Sequence, residues 1–122
     1  MQQDNQYLMD ILHAAQRIEG YTAQTTLANF YEDIRQQDKV IRRLLSISKS
    51  AKRISAAMRQ ETDNATWNII NKINTQLMED DPYVDIDQLW NVARYEMPGL
   101  VRALNVQLSA QRQDRFSFAS AF

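Results

Sequence analysis

The sequence predicts an all-α fold, an up-and-down helical bundle of about five helices. Apolar residues recur three and four positions apart in long stretches, the spacing of one helical face. No stretch alternates apolar and polar residues as a half-buried strand would. The 122 residues include only two glycines and two prolines, too few for a fold rich in tight turns.

The first helix is expected over Asp4–Tyr21, where Leu8, Ile11, Leu12, Ala15 and Ile18 share one face. Gly20 is expected to end it, as glycine often does just past a helix. A turn over Thr22–Thr26 leads to a brief helix carrying Leu27, Phe30 and Tyr31, with Thr25 or Thr26 as its cap. A long helix follows from about Gln36 to Gln60, its stripe running from Val40 through Leu44, Ile47, Ala51 and Ile54 to Met58. Glu61–Asn64 reads as a loop. A fourth helix carries Trp67, Ile70, Ile73 and Leu77, with Asn64 or Thr66 as its cap.

Pro82 disfavours helix at Asp81, so Glu79–Tyr83 reads as an interruption. The last helix starts near Asp85, and Gln88 three residues on resembles a capping box. It continues through Leu104 and Leu108, with a kink expected at Pro98. Residues 1–112 form the expected domain, and 113–122 are expected to be a flexible or strap-like tail.

Composition narrows function by exclusion. With no cysteine, disulfides, thiol nucleophiles and Cys-ligated zinc are out. No glycine-rich phosphate loop is present, and no cofactor is expected. No apolar run is long enough to cross a bilayer, and the first residues lack the pattern of a signal peptide, so the expectation is a soluble cytoplasmic protein without membrane contact. The net charge of −1 offers no general attraction to nucleic acid, so any RNA contact requires a local basic patch.

Several blocks then identify a resemblance. Tyr7–Leu12 with Arg17–Tyr21, the run Asp38-Lys-Val-Ile-Arg-Arg-Leu44, Ser50-Ala-Lys-Arg-Ile-Ser55 and Glu96-Met-Pro-Gly-Leu100 resemble the HepT-like branch of the HEPN superfamily. The most specific stretch is Trp67 to Trp90, where Trp67, Ile70, Leu77, Val84-Asp85 and Leu89-Trp90 fall in register without a gap. The resemblance implies a homodimeric helical bundle from a toxin–antitoxin module, encoded beside a minimal nucleotidyltransferase antitoxin. It also implies metal-independent RNA cleavage by an Arg-x4–6-His motif at the dimer interface, with His moving a proton and Arg holding phosphate.

At the motif this sequence departs from the family. Asn74 stands at the Arg position, Thr75 at its Asn neighbour, Glu79 at the His and Asp81 at the Tyr. Asn supplies neither fixed charge nor guanidinium fork. Glu79 is an ordinary anion near neutral pH, and Asp80, Asp81, Asp85 and Asp87 add negative charge where phosphate would sit. The ribonuclease motif therefore reads as degenerate. The expected function is binding: to itself, to the nucleotidyltransferase, or to an intact HEPN paralogue. The alternative is a ribonuclease with a remodelled site, using Glu79 as base and Asn74, Lys72 or Tyr83 to position phosphate.

Other candidates carry a bland reading beside the functional one. The lone histidine, His13, reads as an exposed helix residue. The acidic cluster reads as a solvated loop and helix start rather than a metal site. The resemblance makes Tyr83 a candidate substitute acceptor for the AMP groups that the family's antitoxin adds at the position held here by Asp81, and packing of the loop is favoured over that role. The basic residues of the long helix, among them Arg42, Arg43, Lys52 and Arg53, could contact RNA or an acidic partner. A solvated face balanced by Glu32, Asp33 and Asp38 is favoured over that contact.

Overall fold

A computed structural model describes the chain over residues 2–77 and 84–120, with side chains over 3–77 and 84–111. Among the described residues the fold is an all-α helical bundle without strands, as expected. The elements are α1 (Gln2–Ala23), α2 (Leu27–Glu32), α3 (Ile34–Lys52), α4 (Ala56–Glu61), α5 (Asn64–Leu77), α6 (Ile86–Asn91), a π-helical turn (Val92–Glu96) and α7 (Met97–Ser120).

The predicted stripes make the core. Helix α1 lies between α3 and α7. Its Leu8, Ile11, Ala15 and Ile18 are buried together with Val40, Leu44 and Ile47 of α3 and Leu100 and Leu104 of α7. Ile69, Ile70 and Ile73 of α5 close one side. Phe30 anchors α2 against Trp90 of α6, with ring centroids 5.3 Å apart and planes tilted by 50°. Aromatic pairs favour such tilted geometry over flat stacking.

Several boundaries differ from the sequence expectation. Gly20 does not end α1, which continues to Ala23 with no glycine in the left-handed region. The extra turn holds because Thr22 is buried and its hydroxyl donates back to the carbonyls of Ile18 and Glu19. The expected Gln36–Gln60 helix starts earlier, capped by Asp33, and is split at Arg53–Ser55. Neither Asn64 nor Thr66 caps α5: Asp63 accepts from the Ala65 N–H, while Thr66 is buried. At Pro98, where a kink was expected, the helix is preceded by a π turn. Widening the preceding turn to π geometry lets the Met97 N–H reach Val92 five residues back, which accommodates the missing proline donor downstream. Helix α7 carries the backbone as helix through Ser120, into the stretch expected as a tail.

The break between α3 and α4 has a tertiary cause. Asp4, 6% exposed, accepts from the Ser55 N–H at 2.8 Å and from the Ser55 hydroxyl at 2.7 Å. Ser55 Oγ in turn accepts from the Met58 N–H and caps α4. Drawn to a carboxylate on α1, the Ser55 N–H cannot continue the α3 ladder.

These bonds hold the Asp4 carboxyl below its ordinary value of 3.8, with the Ser55 hydroxyl contributing most, the Ser55 N–H next, and burial opposing. A carboxylate whose pKa is lowered on folding stabilises the fold above its unfolded pKa, and that contribution is lost as pH falls through the folded value. Asp4→Asn is therefore expected to melt below the wild type at neutral pH. The gap should narrow as pH drops below 3.8, and thermal melts across that range measure it.

Candidate functional site

Helix α5 has two working faces. Ile69, Ile70 and Ile73 point into the core, while Asn68, Asn71, Lys72 and Thr75 recur at helical spacing on a polar face. That polar face forms one wall of a cleft of about 590 Å³. Gln88 and Asn91 of α6, with Val92 and Glu96 of the π turn, form the other.

The cleft's polar groups are largely spoken for. Lys72 Nζ sits 2.9 Å from Glu96 Oε1, an exposed ion pair that holds the walls together but contributes at most about 1 kcal/mol. Gln76 donates to Gln88 Oε1 at 2.8 Å. Gln88 thus binds across the cleft, and Asp85 caps α6 by accepting from the Gln88 N–H at 3.3 Å. The Thr75 hydroxyl donates to the Asn71 carbonyl within α5. The described lining is amide-rich, with its one lysine neutralised. It can hydrogen-bond a partner surface, but it contains no imidazole and no unpaired cation to hold phosphate.

Asn74 does not line this cleft. It is half-buried toward α3, where its Oδ1 accepts from the buried Ser48 hydroxyl at 2.6 Å. The amide therefore joins α3 to α5. Of the other positions expected to hold the motif, Thr75 stands in the cleft; Glu79 and Asp81, and with them the candidate Tyr83, lie outside the described residues. Asp85 and Asp87 are exposed at the start of α6. Among the described residues no three His, Asp or Glu side chains gather to hold a metal. No helix among them is long and apolar enough to cross a membrane.

The basic candidates fall elsewhere. Arg42, Arg43 and Arg53 line a groove between α1 and α3. Lys52 is exposed and lines neither this groove nor the α5 cleft. Sequence reasoning missed the contribution of α1, from which Tyr7, His13 and Arg17 complete the groove. The signal was present: His13 and Arg17 lie four residues apart, on the side of α1 away from its apolar stripe. His13 is exposed there, as expected.

A family model described as ribonuclease HepT-like matches residues 11–106, from mid-α1 into α7. A relative from Methanocaldococcus jannaschii, named "Gamma-glutamylcyclotransferase and putative RNase", is 29% identical over 94 residues. The match takes in 77% of this chain and 42% of the relative, so the chain spans less than half of that protein's length. No solved structure matches the chain. The family match covers most of the bundle, including the α5 segment on which the sequence resemblance rests, and the chain belongs to the HepT-like ribonuclease family.

Proposed function

We propose that this chain is a HepT-like protein of a toxin–antitoxin-type module whose own ribonuclease motif is degenerate and which acts by binding. Its partners in this reading are a second copy of itself and a minimal nucleotidyltransferase or an intact HEPN paralogue. The observation that carries the proposal is Asn74. It occupies the motif Arg position, has no charge to offer phosphate, and has its amide oxygen tied to Ser48 at 2.6 Å. An acid at position 79 in place of histidine removes the second half of the chemistry, since it is an anion when a proton donor is required. The amide-rich cleft beside α5 offers hydrogen bonds in both directions, which suits an interface better than phosphate capture.

The relative's name includes an RNase activity, and the family carries the same expectation, so RNA cleavage is the outcome to test. Purified protein incubated with RNA, with and without metal, is expected to leave it intact, and Glu79→Ala is expected to behave identically. Cleavage by the wild type that Glu79→Ala abolishes would sink the proposal and establish the remodelled ribonuclease in its place. Mixing with a nucleotidyltransferase encoded beside it should yield a complex on size-exclusion chromatography. A chain that stays solitary with such partners and in self-association measurements counts against the binding role.

A further inference from the structure

The α1–α3 groove is the strongest unassigned feature of the molecule. Its two stretches, of about 460 and 390 Å³, adjoin at Arg43 and Ser46, which line both. Lys39, Arg42, Arg43 and Lys49 of α3, with Arg17 of α1 and Arg53 at the α3 terminus, line it. Asp10 is the sole carboxylate in either lining. Glu32, Asp33 and Asp38, the acids expected to balance α3, make no ion pair with these cations. Asp33 is instead the α3 cap. Among the described residues the one ion pair within 4 Å is Lys72–Glu96, outside this groove.

Two tyrosines flank the row of cations. The Lys39 ammonium lies 5.7 Å from the centre of the Tyr21 ring, and the Arg53 guanidinium 5.9 Å from that of Tyr7. From Lys39 to Arg53 the helical rise gives a track of about 21 Å. On a protein with a net charge of −1, this concentrates positive potential along a single line.

We propose that the α1–α3 groove binds the phosphodiester backbone of a single-stranded polynucleotide, RNA or DNA. A linear row of guanidinium and ammonium groups matches a chain that carries one charge per nucleotide, and arginine grips phosphate oxygens with paired donors. Tyr7 and Tyr21 stand at either end of the row, half-buried against the core with a cation over each ring, and hold Arg53 and Lys39 in line with the other cations. The groove lining shares no residue with the α5 cleft, so the site stands whether or not the motif cleaves RNA.

Fluorescence anisotropy with labelled oligouridylate and oligothymidylate of about 12 nucleotides tests this on the full chain. The wild type is expected to bind both. Arg17→Glu/Arg43→Glu/Lys49→Glu should weaken binding by more than about tenfold, and the slope of log affinity against log salt should flatten by about 2, roughly 0.7 per lost contact. Arg102→Glu, an exposed change on α7, should leave affinity unchanged, and circular dichroism confirms that each variant is folded. Equal affinity of the triple variant and the wild type overturns the proposal, as does polyglutamate binding as tightly as either oligonucleotide. RNA cleavage by the wild type would overturn the proposed loss of activity and leave this site standing.

Discussion

Phe30→Ala is expected to destabilise the protein by about 3–5 kcal/mol, a substantial share of the roughly 5–15 kcal/mol that holds a domain folded. Phe30 is 1% exposed and is the only buried side chain of the six-residue helix α2. A helix that short has no independent stability, so its position depends on this ring meeting Trp90. Truncation leaves a cavity between α2 and α6 that the surrounding helices fill only in part. Urea unfolding should show a lower midpoint with the slope unchanged. A loss under 1 kcal/mol would mean that α2 is not held by this contact.

The second large effect concerns the hydrogen bond between Ser48 and Asn74. Asn74→Ala leaves the Ser48 hydroxyl buried without its partner, a cost of about 1–3 kcal/mol. Ser48→Ala is expected to cost less, because Asn74 is only half-buried and water can reach its amide. The double variant should lose less than the sum of the two, with a coupling of about 0.5–3 kcal/mol from chemical denaturation of all four proteins. Strict additivity would show that Asn74 is not part of the α3–α5 junction.

The legible parts of this protein were those governed by local periodicity. The Leu8–Ile18 and Val40–Ala51 stripes were readable because burial follows the helical repeat once a helix forms. Thr26 as the α2 cap and Asp85 as the α6 cap were readable because capping is settled within three residues. Ser55 was not, because it takes its partner from Asp4, 51 residues away. The reach of Gln88 across to Gln76 was hidden for the same reason, although the two are only 12 residues apart. The π turn before Pro98 was beyond local rules, since proline predicts only that a donor is missing and neighbouring packing selects how the backbone adjusts.

The candidate sites divide along the same line. Sequence alone determined the all-helical class and the family resemblance, and with it the expectation that Asn74, Thr75, Glu79 and Asp81 stand at the motif positions, because these depend on residue identity and spacing. Only the tertiary structure decided that Asn74 faces Ser48 while Thr75 faces a cleft, a difference of about 100° around one helix. It likewise brought Arg17 and Tyr7 of α1 beside Arg43 and Arg53, turning a basic helix into a two-walled groove. Charge is written residue by residue, but the field that a ligand meets depends on which helices pack side by side.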